Sequence, residues 1–177
     1  MVFKLLEPIK KIFKKEREID AYINIISKIN NISELYHHLK EAVEELNEDY
    51  EKLLIIVKKK KNEYPVSERI ALNVEDYTID LIKALDELDS SLATYSKNYP
   101  KSIFIADISS LYKDFYPKAK KFLEQIYLSI SNIDNINSNF DSFNALFKEF
   151  SRKAKSKISE IKAKYAELSE LHSHSFI

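Results

Sequence analysis

The fold is decided by residues 126–168, IYLSISNIDNINSNFDSFNALFKEFSRKAKSKISEIKAKYAEL. Apolar residues recur in this stretch at steps of three or four, with a mean of about 3.5 residues, the spacing of a helix that buries one stripe against other helices. The stripe consists of Ile126, Ile130, Ile133, Ile136, Phe140, Phe143, Phe147, Phe150, Ala154, Ile158, Ile161, Tyr165 and Leu168. The rest of the chain is therefore expected to supply helices that cover this stripe.

The composition is typical of a globular helical protein. The chain has 177 residues, of which 45% are hydrophobic and 32% charged, enough for one domain with a sizeable core. It has no Gly, the residue on which tight hairpin turns, phosphate-binding loops and nucleophile elbows depend. Sheet proteins and nucleotide-binding folds of the Rossmann or P-loop kind are therefore disfavoured. The absence of Cys excludes disulfides, thiolate metal sites and a Cys nucleophile.

The periodicity predicts an all-α, elongated antiparallel helical bundle, and the number of its helices depends on one segment. Residues 129–144 are rich in Ser and Asn, which prefer caps and turns, and Ser138 is a candidate N-cap there. A break at this point gives four helices of similar length, whereas an unbroken last helix of about 50 residues gives a bundle of three long helices. Matched lengths favour four helices, although Pro117 then falls within the third. The four would span about 32–62, 66–98, 101–136 and 139–171.

The first 30 residues are predicted to form an extra N-terminal basic amphipathic helix or arm, separate from a bundle of residues 31–177. A break at Asn30–Asn31 is expected because Asn31 and Glu34 have the spacing of a capping box. The apolar contact residues are predicted to be Phe3, Leu6, Ile9, Ile12 and Phe13. The phosphate-facing residues are predicted to be Lys10, Lys11, Lys14, Lys15 and Arg17. Such segregation is typical of helices that lie on anionic membranes or dock on a partner, but docking on the bundle itself as a first core helix is the favoured interpretation.

Motifs for catalysis or metal binding are weak. Glu34 and His37 have the spacing that four-helix di-iron proteins use, but no second copy exists and helical geometry directs both to solvent. His172 and His174 form a second pair of candidate ligands, but two His ligands without a Cys make a weak metal site. Most acidic residues are expected on polar faces, with charge partners one turn away. The sequence therefore predicts no enzyme, no metal, no cofactor and no small-molecule substrate.

The net charge of the chain does not favour nucleic-acid binding, because Lys+Arg and Asp+Glu number 28 each. Local basic clusters would grip phosphates only if they met on one surface. These clusters are Lys10–Lys15, Lys58–Lys61, Lys118–Lys121 and Arg152–Lys157. No apolar run reaches the ~18 residues of a transmembrane helix, and early charges interrupt any signal-peptide core. The expected location is the cytoplasm, or the periphery of a membrane.

These observations favour a non-enzymatic structural or protein-interaction module built from long helices. Its partner would be another protein or a second copy of the chain, since long seams suit a homodimer. The first alternative is a peripheral membrane-surface protein anchored by its N-terminal basic amphipathic helix. The second, less favoured alternative is a nucleic-acid-associated helical protein that uses the Lys clusters.

Overall fold

The computed structural model describes the backbone of residues 2–57 and 65–169. Within these ranges it describes every side chain except those of residues 2–8, 11–15, 53, 55–57 and 65–69. The described residues form four helices followed by a 3₁₀ turn at Ala166–Leu168. The helices are α1 (Val2–Val57), α2 (Pro65–Asn98), α3 (Ile103–Leu128) and α4 (Ile133–Lys164). The predicted all-α bundle and the choice of four helices are confirmed.

The four helices run up, down, up and down. Along α1 and α2, Asn24 donates to Tyr95 and Lys28 donates to Ser91, so residue numbers rise along one helix as they fall along the other. The same opposite progression holds for the other three neighbouring pairs. Their contacts are Asp86–Tyr116 and Ser96–Ser109 for α2 and α3, Asp107–Lys157 and Phe115–Phe150 for α3 and α4, and Tyr36–Asn144 and Asn47–Asn137 for α1 and α4.

Aromatic side chains fill the middle of the bundle. Tyr36 of α1 stacks on Phe147 of α4 with ring centroids 4.1 Å apart, and Phe115 of α3 stacks on Phe150 with centroids 4.5 Å apart. The backbones of α1 and α4 approach each other less closely than those of α1 and α2, and these large rings occupy the space between them. Burying each ring contributes about 1.5–3 kcal/mol, so this layer is a major source of stability.

The helix ends are formed without Gly or any left-handed residue in the described backbone. Ser102 caps α3 by accepting the backbone N–H of Ile105, and Asn132 caps α4 by accepting that of Asn135. The prediction that Ser138 begins the last helix is therefore wrong, because the break falls six residues earlier. Pro117 lies inside α3 at an exposed position, where water can replace the one backbone hydrogen bond that proline removes.

The predicted break at Asn30–Asn31 does not occur, because α1 is continuous from Val2 to Val57. Ile29 and Ile32 are both fully buried in the core on either side of the two Asn residues. Asn costs only about 0.7 kcal/mol relative to Ala inside a helix, and burial of the flanking Ile side chains outweighs that cost. Residues 19–30 therefore belong to the bundle, since Ile19 is already part of the core.

The length of α1 sets it apart from its neighbours. It has 56 residues, compared with 34, 26 and 32 in the helices that follow. Its additional residues lie mainly at the N-terminal end, which positions the candidate site described below.

Candidate interaction surface

The other three helices all end or begin near the level of Tyr22 on α1. The Tyr22 hydroxyl lies 2.9 Å from Ser102 Oγ at the start of α3, and its ring lies 5.8 Å from that of Tyr165, which follows α4. Asn24, half a turn further along α1, contacts Tyr95 in the last turn of α2. Residues 2–17 of α1, here called the α1 extension, therefore continue past the end of the bundle for about 24 Å.

Three of the ten predicted contact residues have described side chains, and all three are exposed. Ile9 is 46% exposed, which is high for an isoleucine, and Lys10 and Arg17 are also exposed. The first buried side chain on the described part of α1 is Ile19, at 8% exposure. The other seven predicted residues lie on the same helix, but their side chains are outside the described set. These are Phe3, Leu6, Lys11, Ile12, Phe13, Lys14 and Lys15.

A cluster of contacts holds the base of the α1 extension. Tyr22 packs edge-on against Phe104 with ring centroids 5.0 Å apart, and its hydroxyl contacts Ser102 and donates to Glu18 at 2.5 Å. Leu168 in the 3₁₀ turn is fully buried beside the end of α4. The direction in which α1 leaves the bundle is thus fixed by α3 and by the segment after α4. No local sequence signal marks this role of Tyr22, whereas a Ser two residues after Pro100 is a local signal for the helix cap.

The same cluster borders a cleft of about 240 Å³ between α1, α3 and α4. Three of its charged groups pair with one another, since Lys157 Nζ lies 3.4 Å from Asp107 and 3.9 Å from Glu160. Burial raises the pKa of the Tyr22 hydroxyl far above its usual value, and the hydrogen bond to the Glu18 carboxylate raises it further. That hydroxyl stays protonated at neutral pH, so the cleft offers no activated base from this residue.

The weak metal motifs of the sequence do not form a cluster of ligands in the described part of the chain. Among the residues described, no three His, Asp or Glu side chains are placed to hold a metal ion. Glu34 is exposed, and the ring of His37 lies against Tyr36. Residues 58–61, 172 and 174 lie outside the described set.

The described basic clusters are partly neutralised by neighbouring carboxylates. Arg152 and Lys153 both contact Glu149, at 3.1 and 3.2 Å, and Lys120 lies 3.0 Å from Asp86. These ion pairs neutralise part of the positive charge that a phosphate-binding surface would need.

Apolar side chains are exposed at the opposite end of the bundle. Leu54 of α1 is 49% exposed and Leu128 at the end of α3 is 73% exposed. Tyr50 and Leu72 are also exposed there. At this level α3 and α4 are near their ends and leave α1 partly uncovered.

Comparison of the chain with protein-family models, with curated proteins and with solved structures found no match. None of the described helices combines the length and the apolar character needed to cross a membrane.

Proposed function

We propose that the chain is a non-enzymatic protein-interaction module whose contact element is the α1 extension. One observation carries the proposal: α1 continues past all three neighbouring helices, and the side chains described on this continuation are exposed. A helix that displays apolar side chains gains about 25 cal/mol for each Å² that a partner removes from water. An amphipathic helix laid into a groove is a common form of protein recognition.

The sequence of the α1 extension supports a contact role over a purely structural one. It carries seven apolar residues with no other described helix at its level: Val2, Phe3, Leu5, Leu6, Ile9, Ile12 and Phe13. Apolar residues in such number are typical of a binding surface rather than of a solvated helix. An anionic membrane would suit the same composition, so the test must separate proteins from lipids.

The cleft beside Tyr22 supports a non-enzymatic role. The Asp107 and Glu160 carboxylates in this cleft pair with the Lys157 ammonium group, and burial raises the pKa of the Tyr22 hydroxyl. General acid–base catalysis needs groups whose pKa values lie near the working pH.

Photocrosslinking tests the proposal directly. We expect p-benzoylphenylalanine at Ile9, introduced in cells that express the chain, to give a discrete protein adduct on irradiation. The same substitution at Ala145, an exposed residue on α4, is the matched control and should give none. Absence of an adduct at Ile9, the same adduct at both positions, or an adduct with lipid alone would contradict a protein contact.

A further inference from the structure

The two halves of α1 carry opposite net charge. Residues 2–17 contain six basic residues and two acidic ones, whereas residues 34–51 contain seven acidic residues and Lys40 as the sole basic one. Six of the acidic side chains are exposed and form no ion pair within the described part of the chain, and five of these six lie within residues 41–51. These five are Glu41, Glu44, Glu45, Glu48 and Glu51, here called the acidic segment.

The helix dipole does not account for this order of charges. A helix favours acidic residues in its first turn and basic residues in its last turn, and α1 has neither. The acidic segment lies in the second half of a continuous helix rather than at the start of one, so it does not act as an N-terminal charge.

The charges of one α1 helix do not neutralise each other. Lys10 and Glu48 are separated by about 57 Å of helix, because α1 is continuous between them. At physiological ionic strength the screening length is about 8 Å, so attraction over this distance is negligible. Two α1 extensions packed on each other would bring like charges together, which is unfavourable. Among protein surfaces, an acidic helical face on another molecule would complement the charge of the α1 extension.

A second copy of the chain offers such a face, with exposed apolar residues beside it. When two α1 helices are aligned antiparallel with Lys10 opposite Glu48, Arg17 falls opposite Glu41. In the same alignment Ile9 falls beside Tyr50, near the exposed Leu54. One register thus places Lys10 and Arg17 opposite acidic residues and Ile9 beside exposed apolar residues.

We propose that the α1 extension of one molecule lies antiparallel along the acidic segment of a second copy of the chain. The two contacts are equivalent, so they close a two-fold dimer whose axis passes near Ile29. The exposed residues closest to that axis are Ser27 and Asn31, which are small and uncharged and place no like charges together. This inference rests on the proposed function, because it names the partner of the α1 extension.

Charge reversal provides the test. The first variant carries Lys10→Glu, Lys14→Glu and Arg17→Glu in the α1 extension. The second carries Glu41→Lys, Glu45→Lys and Glu48→Lys in the acidic segment. The control carries Arg152→Glu, Lys153→Glu and Lys155→Glu on the exposed face of α4, which makes the same charge change as the first variant but away from the proposed contact. Thermal melting of all three variants verifies that each one is folded.

Sedimentation equilibrium of the full chain is expected to show a dimer that weakens at least tenfold in Kd between about 50 and 500 mM NaCl. Each of the first two variants alone should dissociate at least tenfold more readily, and the control should not. An equimolar mixture of the two should restore a one-to-one dimer, because both contacts then join opposite charges.

Three results would overturn the inference: a monomeric full chain at low salt, a mixture that fails to restore association, or species that grow beyond a dimer. If the chain is monomeric but Ile9 still gives an adduct with a different protein, the proposed dimer is overturned and the proposed function is retained. A monomeric chain with no protein adduct at Ile9 would overturn both.

Discussion

Ser102 shows how one side chain connects distant parts of the chain. Its hydroxyl accepts the backbone N–H of Ile105 at 3.2 Å and lies 2.9 Å from the hydroxyl of Tyr22, which is 80 residues away. A Ser closely following Pro100 is a local signal for a helix N-cap. The contact with Tyr22 has no such signal, because it depends on how α1 and α3 are aligned.

Replacing Ser102 with Ala should lower the free energy of unfolding by about 1–2 kcal/mol, since the helix loses its cap and Tyr22 loses a buried partner. Urea unfolding measures this change. Ser110→Ala, at an exposed position inside α3, is the control and should leave stability unchanged or raise it by a few tenths of a kcal/mol. Equal losses in the two variants would show that Ser102 has no special role.

Among the helices, apolar spacing predicted the existence and direction of each element better than its ends. The interval predicted for α2, about 66–98, agrees closely with Pro65–Asn98. The boundary between α3 and α4 was misplaced because several Ser and Asn residues between 129 and 144 are all acceptable caps. Local preference does not choose among them; the packing of α3 on α4 does. Continuity through Asn31 was missed for a related reason, since a capping-box spacing was not enough to end a helix with buried Ile on both sides.

Two substitutions test where α4 begins. Asn132→Ala should lower the free energy of unfolding by about 1 kcal/mol, because the backbone N–H of Asn135 loses its acceptor. Ser138→Ala should be neutral or stabilising by up to about 0.5 kcal/mol, because Ala is the better helix former inside a helix. Urea unfolding of both variants decides the point. If Ser138→Ala lowered the free energy of unfolding more than Asn132→Ala, α4 would begin at Ser138, as expected from the sequence.

For the whole molecule, the sequence predicted a basic amphipathic N-terminal segment but not its place relative to the bundle. The α1 extension exists because three other helices end or begin at the level of Tyr22, and that alignment is a property of tertiary packing. The equal numbers of acidic and basic residues in the whole chain likewise gave no indication that the two kinds of charge are separated along α1. Both proposals depend on this geometry. The proposed function depends on a helical segment that continues past the bundle. The proposed dimer depends on basic and acidic residues that lie too far apart along α1 to contact each other within one molecule.

The most direct test is a distance measurement by double electron–electron resonance. The chain has no Cys, so cysteines replacing the exposed Lys10 and Asn31 carry the only two spin labels. Excess unlabelled chain suppresses distances between molecules. A continuous α1 predicts a narrow distribution centred near about 32 Å. A distance below about 20 Å, or a broad distribution, would mean that residues 2–17 fold back or do not continue the helix, and would contradict the account.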